Sequence, residues 1–326
     1  MTPTNMAMEQ AIRDFPKQFS FDPVVENATA LAPREKFVVA GMGGSCLAPD
    51  LLRAWRPELD IIAHRDYGLP AGDLRDRLII ASSYSGNTEE TLDAFRAASD
   101  RGLPVAAVGV GGKILDRAAA DGAPFIRLPD TGIQPRSALG YSIVALMALV
   151  GDDAGMAELR LLRSSLDGRE CEARGAALAD RLRGKVPIVC ASDRNRGIAY
   201  NWKIKLNETG KIPAFMNVFP ELNHNEMTGF DRIPTTAPLS DHFHCMFLTD
   251  SGDDPRVQHR MAATRDLYAQ RGLAVDVVPM SAGASAWHRI FTSLLTADWT
   301  ALRLAEAYGA EPEQVPMVEE FKRLVR

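Results

Sequence analysis

A chain of 326 residues that is 46% hydrophobic is long enough to bury two cores of ordinary size, and no short repeat or low-complexity tract interrupts it. Its formal net charge of −5, with no basic runs, supplies no field to draw nucleic acid or an anionic membrane, so any anion site must be built locally. Cys46, Cys171, Cys190 and Cys245 lack metal or redox spacing and suit buried thiols in a reducing compartment.

Residues Met1 to Phe19 hold no apolar stretch of signal-peptide length, and no later segment is long and uncharged enough to span a membrane. A soluble, cytoplasmic protein is expected. From Lys36 to about Val150 the pattern alternates strand and helix. The strand candidates are Phe37–Ala40, Ile61–His64, Leu78–Ser82, Val105–Val108 and Phe125–Leu128, which predicts a doubly wound parallel sheet.

The first strand runs into Gly41-Met42-Gly43-Gly44-Ser45, where Gly43 and Gly44 let the backbone approach a small ligand and Ser45 adds a donor. The third glycine of a dinucleotide fingerprint is missing, and no acid clearly takes the ribose-binding place. The third strand runs into Ser82-Ser83-Tyr84-Ser85-Gly86-Asn87-Thr88-Glu89-Glu90, a polar turn before a helix carrying Leu92 and Phe95. Asn87 or Thr88 is the expected N-cap, with Glu90 able to close a capping box on Asn87. Helix N-termini offer free N–H groups and partial positive charge, so a phosphate ringed by the Ser83, Ser85 and Thr88 hydroxyls needs no arginine. The alternative is an ordinary capped helix start.

Gln134-Pro135-Arg136 stands before an apolar helix over Leu139–Val150 and offers a guanidinium at a fixed turn, suited to a developing oxyanion or simply to the surface. Gly151–Gly155 then breaks the pattern, and the two domains are placed at 1–153 and 154–326. The second opens with a charged, alanine-rich helical stretch, Met156–Gly184. A strand at Val186–Ala191, a turn at Ser192–Asn195 and a helix through Tyr200 and Trp202 follow, with further strands near Phe215, at Phe243–Leu248 and at Val275–Val278. Residues 281–326 read as two helices separated by Gly309–Pro312.

The helix of the second half ends at Asn207-Glu208. A carboxylate at a helix C-terminus opposes the macrodipole, which pushes its pKa toward the range of a working base and makes Glu208 the leading base candidate. The plain alternative is a solvated glutamate between Lys205 and Lys211. Glu221-Leu222-Asn223-His224-Asn225-Glu226 adds a histidine whose asparagine neighbours can fix its tautomer, with Glu221 and Glu226 as rival bases. His242 and His244 alternate on a strand and raise a metal site, discounted because Cys245 points the other way and no third ligand is evident.

Together these pieces resemble the sugar isomerase (SIS) domain family, and within it the two-domain bifunctional phosphoglucose/phosphomannose isomerases. The similar segments are Asp14-Phe15-Pro16-Lys17-Gln18, Gly41–Ser45, Ser83–Thr88, Gln134–Arg136, Asn207-Glu208 and Glu221–Glu226. The resemblance implies two SIS-type, flavodoxin-like α/β domains followed by a C-terminal helical segment. It implies that Gly44, Ser45, Ser83, Ser85 and Thr88 hold a sugar phosphate, while Glu208 shuttles a proton between C1 and C2 through a cis-enediol. His224 would assist ring opening, Arg136 would steady the enediolate, and Lys322, within Glu319-Glu320-Phe321-Lys322, would close the site. The histidine would come from a neighbouring subunit, implying a homodimer, and neither metal nor organic cofactor would be needed.

Cys46-Leu47-Ala48-Pro49 and Glu311-Pro312-Glu313-Gln314-Val315 depart from the usual pattern of that family, which leaves open how the pocket treats the two C2 epimers. The expected substrates are glucose 6-phosphate, fructose 6-phosphate and mannose 6-phosphate. The competing expectations are a non-catalytic sugar-phosphate sensor and an isomerase of another phosphosugar. A sensor of this kind is usually joined to a DNA-binding module, and no basic helix-turn-helix segment is present.

Overall fold

In a computed structural model, residues 3–280 and 285–325 are described, with side chains from Ala7 onward. The chain divides into two compact units, one spanning Asp14–Leu166 and the other combining the residues up to Arg13 with those from Asp167 onward. The break therefore falls beyond the expected 153/154 position, and the first helix, α1 (Pro3–Arg13), belongs with the second unit. Arg13 explains the latter: it pairs with Glu172 at 2.9 Å and lies over the Trp299 ring. Asp152 explains the former, because it caps the helix after it through the Gly155 N–H and pairs with Arg56, tying the segment after 153 back to the first unit.

The first unit holds β1 (Val25–Glu26), β2 (Lys36–Ala40), α2 (Ala48–Trp55), β3 (Asp60–His64), β4 (Arg77–Ser82), α3 (Glu89–Asp100), β5 (Val105–Gly109), α4 (Gly112–Asp121) and β6 (Phe125–Arg127). Helices α5 (Leu139–Val150), α6 (Asp153–Arg160) and α7 (Leu162–Ser165) complete it. The strand order is β1-β6-β5-β4-β2-β3, and every pair is parallel except β1 with β6. The short antiparallel edge strand is a correction to the all-parallel expectation; two residues are too few to carry a periodic signal. Without it the order is flavodoxin-like, and it reverses between β2 and β4, the place where ligands lodge in such sheets. Val38, Val39, Ile79, Ile80, Ala106 and Ala107 are buried on both faces, as continuous apolar strands of a parallel sheet should be.

The second unit adds α8 (Gly168–Leu182), β7 (Val186–Ser192), α9 (Arg196–Glu208), β8 (Phe215–Phe219), α10 (Glu226–Gly229), β9 (Phe243–Thr249), α11 (Pro255–Gln270), β10 (Ala274–Pro279), α12 (Ala286–Ala307) and α13 (Pro316–Leu324). The helical stretch expected from Met156 to Gly184 is thus three helices, the last restarted by Asp167, which accepts from the Arg169 and Glu170 N–H groups. Its four strands are all parallel in the order β10-β9-β7-β8, reversing between β7 and β9. Among the described residues no helix is long and apolar enough to cross a membrane.

This second reversal point is filled from within. Ser192 donates to Asp253 at 2.8 Å, Asn195 donates to Asp250 and Asp253, and Arg194 and Arg289 approach the same carboxylates. Asp253 keeps one buried oxygen without a partner, and burial raises its pKa. A raised carboxyl pKa means that ionisation costs more in the folded than in the unfolded chain, so the penalty develops as pH rises through the folded value. Asp253→Asn should therefore be more stable than the parent at pH 7, with the advantage closing below the ordinary carboxylate value of 3.8; melting temperatures across pH check this. All four cysteines are buried, and burial pushes Cys46 and Cys245 to about 12 and Cys171 to about 11. At pH 8 a thiol-reactive dye should label almost none of them in the folded protein and all four in denaturant.

Candidate functional site

Three turns meet at the carboxyl edge of the first sheet. The turn after β2 winds through a short 3-10 helix, Gly43–Cys46, and the Ser82 hydroxyl at the end of β4 donates to the Ser45 carbonyl at 2.9 Å. In return the Ser45 hydroxyl accepts from the Tyr84 N–H at 2.8 Å. These two hydrogen bonds lace the adjacent strand ends together, and both serines are buried. The link to Ser82 escaped the sequence reading because it depends on β2 lying beside β4, which no local pattern discloses.

The third turn is Gln134–Ser137, whose Pro135–Ser137 segment is a single 3-10 turn. Gly44 lies against it so closely that a Cβ there would come within 2.8 Å of the Arg136 nitrogen and the Pro135 carbonyl carbon. Arg136 is only 3% exposed, which removes the surface-arginine alternative. The first unit thus brings together Gly44, Ser45, Ser83, Ser85, Thr88 and Arg136 from three stretches far apart in sequence.

Within the cradle the hydroxyls divide their work. Ser83 is fully buried; its oxygen shares a 2.9 Å hydrogen bond with the Thr88 hydroxyl and accepts from the Gly86 and Thr88 N–H groups. Expected among the phosphate contacts, it is already committed to the shape of the turn. Ser85 is exposed and Thr88 half-buried. Thr88 occupies the N-cap position of α3, yet its side chain caps nothing. Asn87 is not the cap either, since its amide bonds the Ser85 carbonyl and accepts from the Lys113 N–H. The expected capping box is therefore absent, and the first-turn N–H groups of Glu89 and Glu90 are left without a side-chain acceptor. Helix starts are normally capped, so an uncapped start ringed by hydroxyls is suited to an anion.

Gly86 makes the turn possible. Its φ is +73°, and a Cβ there would fall 1.7 Å from the Gly111 carbonyl oxygen, so only glycine lets this turn rest on the one after β5.

The other candidates lie in the second unit. Glu208 is the last residue of α9 and half-buried. Of the two neighbouring lysines, Lys205 is 1% exposed and pairs with Asp298 at 2.5 Å, while Lys211 stays beside Glu208, donating to its main-chain carbonyl at 2.7 Å and to that of Gln314. The buried Lys205–Asp298 pair fastens α9 to α12 one turn before Glu208. Asn207 bonds the carbonyls of Ile212 and Ala214, holding the chain that leaves the helix.

His224 closes a short 3-10 helix, Glu221–His224, and is exposed. The flanking asparagines do not fix its tautomer. Asn223 donates to Thr264 at 2.8 Å, and Asn225 donates to Glu221 and accepts from the Glu226 N–H. Glu226, a rival base, accepts from Asn217 at 2.5 Å. Lys322 lies on α13, exposed and paired with Glu319 at 2.7 Å. His244 faces Asp276 at 2.9 Å, and among the described residues no group of three or more His, Cys, Asp or Glu could hold a metal ion.

The family described as "Bacterial phospho-glucose isomerase C-terminal SIS domain" matches residues 172–325. A protein of Caldicellulosiruptor bescii named bifunctional phosphoglucose/phosphomannose isomerase is 36% identical over 306 residues, covering 88% of each chain. One of the same name from Aquifex aeolicus is 30% identical over 319 residues, 96% of each chain. Among solved structures, a hypothetical protein from Thermus thermophilus shares the fold with a TM-score of 0.74 at 18% identity, covering 100% of this chain and 90% of that one. From identity at this level along nearly its whole length, the chain belongs to the bifunctional phosphoglucose/phosphomannose isomerase family.

Proposed function

We propose that this chain interconverts glucose 6-phosphate and mannose 6-phosphate with fructose 6-phosphate by moving a proton between C1 and C2, without metal or organic cofactor. What carries the reading is the uncapped start of α3 among hydroxyls, in the unit where Gly44 abuts the turn of a buried arginine, in a chain whose relatives over nearly its whole length bear that name.

The phosphate dianion accepts from the Glu89 and Glu90 N–H groups and from the hydroxyls of Ser85 and Thr88. Ser45, Ser83 and Gly44 hold the turns that present them. His224, contributed by the second copy of a homodimer, protonates the ring oxygen as the sugar opens. Glu208 takes the proton from C2 of the aldose, giving a cis-enediol, and returns it to C1; the proton on O2 passes to O1 and the ketose remains. Abstraction places negative charge on the enediolate oxygens, and a positioned guanidinium such as Arg136 stabilises charge that the bound sugar does not carry. Lys322 covers the reacting carbons. The cell compartment that fits is the cytoplasm, where sugar phosphates are made and used. The second reading, isomerisation of another phosphosugar, rests on the cradle reading phosphate and not the sugar.

In heavy water, fructose 6-phosphate should yield glucose 6-phosphate and mannose 6-phosphate deuterated at C2, with or without chelator. Glu208→Gln should slow this by about a thousandfold or more, as loss of a proton-transfer group does. Proton NMR reads both epimers in one spectrum. Binding of the ketose phosphate with no aldose formed would leave a sensor. Thr88→Val loses a donor to a charged group, commonly about 1.5–3 kcal/mol, together with its hydrogen bond to Ser83. The expected result is a fall in kcat/KM of about ten- to a hundredfold, with weaker competition by inorganic phosphate; an unchanged inhibition constant would place the anion elsewhere.

A further inference from the structure

Among the segments that mark the family likeness, Asp14-Phe15-Pro16-Lys17-Gln18 has no part in the chemistry above. In the structure it forms a 3-10 helix, Phe15–Ser20, pinned by the buried rings of Phe15 and Phe19, which meet edge to face at 5.5 Å. Gln18 is 3% exposed, and its side chain reaches the far end of the first unit's sequence. Its amide nitrogen donates to the Ser137 carbonyl at 2.7 Å, and its amide oxygen accepts from the Tyr141 N–H at 3.3 Å. A carbonyl at one end and an N–H at the other fix which way the amide points.

These two groups bracket the turn that carries Arg136. Ser137 ends the one-turn helix containing the arginine, and Tyr141 lies in the first turn of α5, whose N-cap position is Ala138, a residue with no side chain able to cap. Gln18 therefore supplies from a distance the cap that the local sequence lacks, and the same amide holds the carbonyl next to Arg136. The fit is tight: a Cβ on Gly140 would stand 2.7 Å from the Gln18 Cβ and 2.8 Å from its amide oxygen. Gly44 lies against the Arg136 nitrogen of the same turn. The turn thus contacts both the cradle and Gln18.

We infer that Gln18 is a positioning residue for Arg136, setting the place of the guanidinium through the Ser137 carbonyl and the start of α5. The inference rests on the proposed role of Arg136 in stabilising the enediolate. Shifting a charge-stabilising group by a fraction of an ångström weakens the transition state while leaving phosphate binding nearly intact, so the loss falls on kcat and not on KM.

The test is a double-mutant cycle on the full chain with fructose 6-phosphate as substrate, read at a temperature well below each variant's melting point. Gln18→Met, similar in size but unable to make either hydrogen bond, should lower kcat about tenfold with KM within about twofold. Gly140→Ala removes no polar group and should do the same by pushing Gln18 aside, which keeps the inference testable if Gln18→Met fails to fold. In an Arg136→Ala background neither change should cost more than about twofold further. The inference falls if either variant keeps the parental kcat, or if the losses multiply with that of Arg136→Ala. If Arg136→Ala itself keeps full activity, the role assigned to the arginine is what fails.

Discussion

The first unit turns on a pair of reciprocal hydrogen bonds at the edge of its sheet: Ser82 to the Ser45 carbonyl, and the Tyr84 N–H to the Ser45 hydroxyl. Strand pairing alone sets β2 and β4 side by side but leaves the turns that follow free to splay. Once the two turns are laced, Gly44 meets the Arg136 turn and the Ser83–Thr88 loop can bend over its own serine. The cost is that Ser83 and Ser45 are consumed as scaffold. What the cradle has left to offer a ligand is mainly backbone N–H groups with the hydroxyls of Ser85 and Thr88.

The two units share a winding rule but not an electrostatic one. In each sheet the strand order reverses beside its central strand, and in each a crevice follows at the carboxyl edge. In the first unit the crevice has, among the described residues, no buried carboxylate and its helix start is uncapped. In the second it is occupied by Asp250 and Asp253, and α11 is capped by Asp254, which accepts from the Arg256 N–H. A phosphate brought there would meet two buried carboxylates. Glu208, the base of the proposed reaction, stands at the far end of the helix that leaves this crevice.

Much of this was legible in the sequence where the signal is local. Strand after strand appeared as a run of branched apolar residues, and the Gly41–Ser45 and Ser83–Thr88 turns announced themselves by composition. Three features did not. The two-residue strand Val25–Glu26 is too short to show a period and exists only because the edge of β6 is available. The return of α1 to the second unit depends on Arg13 meeting Glu172 and Trp299, a contact spanning most of the chain. The missing cap on α3 is hidden because Asn87 and Thr88 are good capping residues; Asn87 instead meets Lys113 and the Ser85 carbonyl, and Thr88 meets Ser83 within its own turn, which leaves its hydroxyl turned from the helix start. Local propensity nominates candidates, and only packing decides which of them is spent.

That spending bears on why the cradle is built of neutral donors. A lysine or arginine on the phosphate would deepen binding of substrate, intermediate and product alike, lowering KM without raising kcat. A charge pair at about 4 Å near a protein surface is worth about 4 kcal/mol, enough to slow product release severely. On the proposed reading, hydroxyls and N–H groups would hold the dianion firmly enough to locate it, and a net charge of −5 adds no attraction that would blur the distinction. The buried cation of the first unit is instead Arg136, kept apart from solvent at 3% exposure. On the proposed reaction, negative charge appears on the oxygens of the sugar's first two carbons only after a proton has left. On that reaction a single guanidinium discriminates best between bound sugar and enediolate when the phosphate is held by other groups, and neutral donors in the cradle would do that holding.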